Sequence, residues 1–548
     1  MKQWDVHKTA RQARITAGGA HADGKIVAAD GLVAFLEAVL RPGDRVCLEG
    51  DNQKQADVLA RALAQVDPAK IHDLHMVQSG IVLPEHLDLF DKGVARRLDF
   101  SYSGPQSARV ARMLFGGKIE LGAIHTYLEL FARYFIDLTP QVALIAAVSA
   151  DRDGNLFTGP NTEDTPTVVE ATSFGNGLVI AQVGEIVDRL PRVDIPGDRV
   201  HFVVDAGKPF YVEPLFTRDP AAITETQILT AMLAIKGLYQ PYGIRRLNHG
   251  IGFNTAAIEL LLPTYAEKLG LRGKVCTHWA LNPHPTLIPA IEAGWVEQIH
   301  SFGSEVGMED YLRARPDIFF TGPDGSLRSN RAFSQTAGLY ACDLFIGSTL
   351  EIDLEGHSST ITPDRIAGFG GAPNMGSDAR GRRHPSPPWL QAGQEADPDT
   401  PAPVRRGRKL VVQIGETFGE GNAPMFVEKL SALELAEKLK LPLAPVMVYA
   451  DDTTHIITED GIANLLLCRD KDEREQAIRG VAGFTEIGRQ RDHKMVERLR
   501  ERKVIQRPED LGIDPLDADR SLLAARSIKD LMLASGGLYR PPSRFRNW

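Results

Sequence analysis

The sequence predicts an α/β protein, built as two α/β domains with parallel-rich sheets. Three observations carry this reading. Short apolar runs rich in Val, Ile and Leu recur along the chain, and most are unbroken by polar residues. Helix-length amphipathic segments separate them, and an apolar run flanked by helices implies a sheet covered on both faces. The chain has 548 residues, of which 43% are hydrophobic, and a single core does not take up a chain of that length.

Taken in order, strands are expected over residues 45–49, 142–149, 178–183, 200–204, 274–280, 343–354, 410–414 and 446–449. Helices are expected over residues 53–66, 223–238, 254–269 and 427–439, with a short one at 289–293, because apolar residues recur there at helical spacing. A break near Pro214 and Pro220 separates a strand-rich half from a helix-rich one. It places an N-terminal domain at residues 1–220 and a C-terminal domain at 221–548. Inside the second, residues 372–408 hold Pro373, Pro385, Pro387, Pro388, Pro398, Pro401 and Pro403 among several arginines. That stretch cannot continue a regular element and reads as a long loop, with a lid or a carrier-facing surface as the sharper alternative. The end, Arg540 to Trp548, reads as a tail that frays by default. No internal sequence repeat is visible.

Charge and cysteine usage exclude several function classes. The net charge is −9 and no basic stripe is present, which argues against nucleic acid. Met1 to Lys8 carries no apolar run after its charges, so no secretory leader is expected. No stretch approaches the roughly 18 apolar residues of a membrane span. Cys47, Cys276, Cys342 and Cys468 lie far apart and fit reduced thiols of a cytoplasmic protein. Of the 15 histidines, His278, His284 and His300 are neighbours in sequence without ligand spacing, so no metal is expected. There is no Gly-x-Ser-x-Gly elbow, no Gly-x-Gly-x-x-Gly fingerprint, and no Lys-Ser/Thr ending to the glycine turn at 368–371.

That turn, Gly368-Phe369-Gly370-Gly371, follows Gly303-Ser304-Glu305 by about sixty residues. Without a Cβ, backbone N–H groups can approach a substrate oxygen closely. A carboxylate beside such a turn could attack a thioester carbonyl while the N–H groups hold the oxyanion. Further upstream, Gly50, Asp51 and Asn52 follow an expected strand and open an expected helix, which is where α/β folds bind ligands. They read either as the lining of a pocket for a phosphate or pantetheine arm or as a helix cap. Asn155 sits in a polar Asp-Gly-Asn turn after the strand at 142–149, with ligand contact left open.

Together these landmarks resemble the coenzyme A transferases, over about residues 30 to 490. They are Gly43-Asp44-Arg45-Val46, Ser149-Ala150-Asp151-Arg152-Asp153-Gly154-Asn155-Leu156, Leu350-Glu351-Ile352-Asp353-Leu354, the glycine turn, and Thr458-Glu459-Asp460-Gly461-Ile462-Ala463-Asn464-Leu465. Within that group, His278-Trp279-Ala280-Leu281-Asn282-Pro283-His284-Pro285 and Gly368 to Gly376 resemble the malonate decarboxylase alpha-subunit family. The resemblance implies a coenzyme-A-transferase-like fold in both domains. It also implies a transferase that exchanges acetyl for malonyl on an acyl carrier protein, the first step of malonate decarboxylation, through a glutamyl thioester. It implies no cofactor bound covalently to this chain. The phosphoribosyl-dephospho-CoA prosthetic group would sit on the partner acyl carrier protein, and decarboxylase subunits would complete a cytoplasmic complex. Malonate and acetate would be its small molecules, with no nucleic acid and no membrane involved.

Carried over by position, Glu305 matches the family's nucleophile and Gly370 and Gly371 its oxyanion turn; Gly368 is taken with that turn, and Gly50, Asp51, Asn52 and Asn155 are read from the residues as candidates for the carrier arm. Two positions depart from the family pattern: Gly303 stands where a histidine often precedes the Ser/Thr-Glu pair, and the turn continues as Ala372-Pro373-Asn374. Glu309, Glu351 and Glu355 are rival carboxylates. Selecting malonate over acetate requires a fixed cation, for which Arg328, Arg331, Arg245 and His249 are candidates. The alternatives are an acetyl-CoA-dependent coenzyme A transferase, a citrate lyase alpha subunit, and a non-catalytic scaffold subunit.

Overall fold

The computed structural model describes residues 3–50, 54–159, 163–322, 327, 331–377, 409–441 and 443–546. Two large sheets organise it. The first has nine strands, in the order Ile26–Ala28, Phe202–Asp205, Leu178–Ile186, Val142–Ala150, Arg45–Leu48, Leu74–Gly80, Ala95–Tyr102 and Glu120–Ile124. These eight are parallel, and Leu156–Phe157 adds antiparallel to Val142–Ala150. The second has eight strands: Gln298–Ser301, His278–Leu281, Arg246–His249, Leu344–Gly347, Leu410–Ile414, His455–Thr458, Gly461–Asn464 and Ile505–Gln506. Its first six are parallel and the last two antiparallel.

The central strand of the first sheet explains the unbroken apolar runs. Val142, Leu144 and Ala146 pack into one core, while Ala143, Ile145 and Ala147 pack into another on the opposite face. Alternate residues point to opposite faces, so a strand covered on both sides has no position left for a polar side chain. Each fully buried Val, Leu or Ile contributes about 1.5–3 kcal/mol relative to exposure.

Several expected elements end early for local reasons. The helix expected at 223–238 begins at Glu225, where Thr224 and Gln227 form a reciprocal capping box, and runs to Ala234 before a π-turn at Ile235–Tyr239. The helix expected at 254–269 runs Phe253–Leu261 and widens into a π-turn at Leu262–Ala266. Pro263 lies inside that turn and has no N–H to continue the α-helical ladder. The run at 343–354 is two strands, Leu344–Gly347 and Glu351–Ile352, the second paired antiparallel with Ser358–Ser359. Residues 446–448 are buried and Tyr449 half-buried, but the run is irregular, touching Ser358 through one isolated bridge at Val448. Of the proline-rich stretch, residues 378–408 lie outside the described residues, and Ala372–Met375 forms a short helix.

The C-terminal segment is docked, not frayed, as far as it is described. Tyr539 is fully buried, Arg540 N–H donates to the Gly307 carbonyl at 2.9 Å, and Arg544 pairs with Glu213 at 2.8 Å.

Core membership does not follow a cut at residue 220. Ile361, Ile366, Leu430, Ala432, Leu435 and Val446 come from the second half of the chain and pack into the core of the first sheet. The two sheets share one topological plan. In each, a central strand (Arg45–Leu48, or Arg246–His249) has the next strand in sequence on one side and a much later one on the other. The connections therefore leave that strand in opposite directions, and a crevice opens at its carboxyl end.

Candidate active site

The crevice of the second sheet is the mouth of a cavity of about 330 Å³. Asn248, His249, Gly250 and Ile251 line it from the end of one central strand, and Gly347, Ser348, Thr349 and Leu350 from its neighbour. The two strand ends approach closely. A Cβ on Gly250 would lie 3.0 Å from the Cα of Gly347. Tyr102 and Tyr127 close the cavity from the first half of the chain.

The glycine turn forms another wall, and it is bound to the first sheet. Ser103 N–H donates to the Ala367 carbonyl at 2.9 Å. The N–H groups of Phe369 and Gly370 both donate to the Ser101 carbonyl, at 2.7 and 3.0 Å, and Tyr127 N–H donates to the Gly370 carbonyl. Gly368 has φ +77°, and a Cβ there would lie 2.4 Å from the Ser101 carbonyl oxygen. No L side chain fits that position. The Gly370 N–H is thus committed to the fold. Those of Gly368 and Gly371 make no hydrogen bond among the described residues and line the cavity.

Among the described residues, three arginines line the cavity: Arg218, Arg331 and Arg365. Arg331 is buried and its Nε and Nη2 both donate to Glu163, with Asp164 at 3.4 Å. Its guanidinium also lies 4.6 Å from the ring centre of Tyr127. This ion pair explains one departure noted in the sequence. A Cβ on Gly303 would lie 2.1 Å from the Glu163 carboxylate, so no histidine fits at 303. Arg218 is different: its Nη1 donates to the carbonyls of Leu215 and Thr217, at 2.6 and 2.9 Å, and burial pushes its pKa down.

Behind the wall, Glu259 is fully buried and accepts from Nδ1 of both His249 and His284, each at 2.9 Å. The two histidines hold its pKa at about 2 against the cost of burial, so it is an anion. His249 also meets Tyr239 through Nε2 at 2.8 Å. His284 stacks on Phe216 with ring centres 5.4 Å apart.

Glu305 is fully buried and is not among the residues that line the cavity. Its oxygens accept from Thr217 N–H at 3.0 Å, Thr217 Oγ1 at 2.7 Å and Phe216 N–H at 3.2 Å. Phe216 does line the cavity, so Glu305 sits one layer behind it. Burial raises its pKa to about 7, partly offset by those hydrogen bonds. The rival carboxylates are elsewhere. Glu351 is buried and accepts from Ser431 N–H and Oγ, both at 2.7 Å, anchoring the helix Ser431–Leu439. Glu309 and Glu355 are exposed.

The remaining expected site residues are not gathered here. Gly50 is buried beside Gln55 and His86, the latter on the helix Pro84–Asp91, and Asp51, Asn52 and Arg328 lie outside the described residues. Asn155 is tied into its own turn, donating to Asp151 at 2.7 Å and accepting from Gly197 N–H at 2.8 Å. Arg245 faces Glu297 at 3.6 Å with both side chains half exposed. Sequence reasoning missed Arg218, Glu163, Gln335 and the two tyrosines. The only sequence signal for them was their residue type.

The paired open sheets are similar in fold to an acyl-CoA transferase from Escherichia coli O157:H7, at TM-score 0.52 and 15% identity, covering 81% of this chain and 89% of that one. The likeness narrows sharply at higher identity. A chain of a Pseudomonas malonate decarboxylase hetero-tetramer, solved in complex with malonate, superposes at TM-score 0.94 with 59% identity over 100% of both chains. An acetyl-S-ACP:malonate ACP transferase of Malonomonas rubra is 62% identical over 100% of this chain and 99% of its own length. The model of the family described as "Malonate decarboxylase, alpha subunit, transporter" matches residues 3–548. The chain belongs to the malonate decarboxylase alpha-subunit family. Among the described residues no helix is long and apolar enough to cross a membrane.

Proposed function

We propose that this chain exchanges acetyl for malonyl on the thiol of an acyl carrier protein, as the Malonomonas rubra relative is named for doing. One observation carries the reading of the site: among the described residues, three arginines and no aspartate or glutamate line the cavity. Such a wall takes anionic acids, and it leaves the substrate's own carboxylate as the nucleophile. A malonate oxygen attacks the acetyl carbonyl carbon of the thioester. The Gly371 N–H, with that of Gly368, stabilises the oxyanion, and a donor of this kind is worth roughly 3–4 kcal/mol. The C–S bond breaks, the thiol leaves, and a mixed anhydride remains in the cavity. The thiol then attacks the malonyl carbonyl and acetate departs. One thioester is broken and one is made, so the exchange is near thermoneutral and needs no ATP. Holding both partners in an enclosed site supplies much of the remaining barrier reduction.

The alternative is a glutamyl thioester on Glu305. Its position one layer behind Phe216 favours it, since a shift of that segment would expose the carboxylate. It would require the segment to give up three hydrogen bonds. The carrier with its phosphoribosyl-dephospho-CoA arm and the decarboxylase subunits are the proposed partners, supported by the Pseudomonas hetero-tetramer. Four free cysteines fit residence in the cytoplasm.

The test is E305Q in the complex, given acetylated carrier and labelled malonate, with hydroxylamine added during turnover. Direct exchange expects label on the carrier and no adduct at residue 305. Loss of exchange in E305Q, with a trapped adduct in the unsubstituted protein, establishes the glutamyl route. An unsubstituted complex that places no malonyl label on the carrier overturns the function itself.

A further inference from the structure

Malonate and acetate differ by one carboxylate, and the cavity must hold that second charge out of water. An unpaired carboxylate there costs several kcal/mol, which a guanidinium fork offsets through two parallel charge-assisted hydrogen bonds. The three lining arginines are not equivalent candidates. The Nε and Nη2 edge of Arg331 is already occupied by Glu163. Arg365 is an exposed side chain, where a carboxylate would keep its hydration. His249 has both nitrogens engaged, by Glu259 and Tyr239.

Arg218 is left. Its Nη1 is spent on the carbonyls of Leu215 and Thr217, which fixes the plane of the group. Its Nε and Nη2 edge has no acceptor among the described residues, and no carboxylate of those residues lies within 4.0 Å of it. That edge is the one that meets a carboxylate bidentately. The Phe253 ring centre lies 5.8 Å from the guanidinium carbon.

We propose that the free Nε/Nη2 edge of Arg218 binds the non-reacting carboxylate of malonate and so sets the choice of malonate over acetate; this rests on the acyl-exchange reading above. The pairing selects the acid and then retains the malonyl group while the thiol returns. It also fixes which of the two carboxylates is left free to attack.

The experiment compares malonate, malonamate (the same acid with one carboxylate made a neutral amide) and acetate as acyl acceptors. Exchange on the acetylated carrier is measured in the complex for the unsubstituted chain, R218Q, R218K and R365Q. The expected result is that R218Q lowers the malonate-to-acetate ratio of kcat/KM by about 100-fold, mostly through KM. It should also bring malonate and malonamate to near parity. R218K should fall between, because an ammonium keeps the charge and loses the fork. The proposal is overturned if R218Q exchanges with acetate yet keeps the malonate preference, or if R365Q and not R218Q abolishes it. Should R218Q fail to fold, a preference undiminished in R218K overturns it. An unsubstituted complex that exchanges with neither acid defeats the functional reading instead, so the two failures are told apart.

Discussion

Glu305 and Arg218 are joined through two residues of backbone. The Glu305 carboxyl holds Phe216 and Thr217 by their N–H groups, and Arg218 follows directly. Glu305 is thus placed to position the guanidinium. Its titration follows from burial. A carboxyl whose folded pKa is near 7 against roughly 4.3 unfolded binds more protons in the native state. Stability therefore is fullest below the unfolded value and declines as pH rises through 7, by roughly 4 kcal/mol in total from this group. In E305Q, urea unfolding measured from pH 4.5 to 7.5 should lose that component of its slope. E305A removes the anchor as well, and should raise the KM for malonate by about tenfold while E305Q changes it little. Equal effects of the two substitutions on KM would remove the positioning role.

At the scale of the element, the glycine turn makes a graded prediction. Gly368 is forced twice over, by a positive φ and by the Ser101 carbonyl 2.4 Å from a would-be Cβ. Alanine there costs roughly 1–3 kcal/mol from backbone strain alone, before any displacement of the strand end. Gly371 has ordinary helical angles, and a Cβ would meet the amide end of Gln335 at 2.4 Å. That side chain can turn aside. G368A should therefore lower the melting temperature by several degrees and G371A hardly at all, while both reduce exchange, because a Cβ crowds the approach of the substrate oxygen to N–H groups that alanine retains. Thermal denaturation and label exchange on the same preparations check this. The turn was legible as glycines because Gly-x-Gly-Gly is a local pattern. Commitment of the Gly370 N–H to Ser101 was not, since the partner lies far away in sequence.

Across the whole molecule, the first sheet is completed by the second half of the chain. Leu435 is 3% exposed and belongs to that first core. L435A should destabilise the protein by roughly 2–5 kcal/mol, read from chemical denaturation. A fragment of residues 1–220 should lack a cooperative unfolding transition and bind a hydrophobic dye, because Ile361, Ile366, Leu430 and Val446 are missing from its core. A fragment that unfolds cooperatively would show the two halves to be independent. The same interlock places the glycine turn of one half against Ser101 and Tyr127 of the other, so the cavity exists only when both are assembled.

The chain's own pattern determined the α/β class, the central strands near residues 45, 142 and 410, and the glycine turn. Those rest on periodicity and on residues with unusual backbone freedom, which act over a few positions. It did not determine what the charged groups do. Glu305 is an inward-facing anchor because Phe216 and Thr217, 89 and 88 residues earlier, present their N–H groups to it. Arg331 is neutralised and Arg218 open because the fold brings Glu163 to one and no carboxylate among the described residues to the other. A charge takes its role from its three-dimensional neighbours, and tertiary structure alone chooses those.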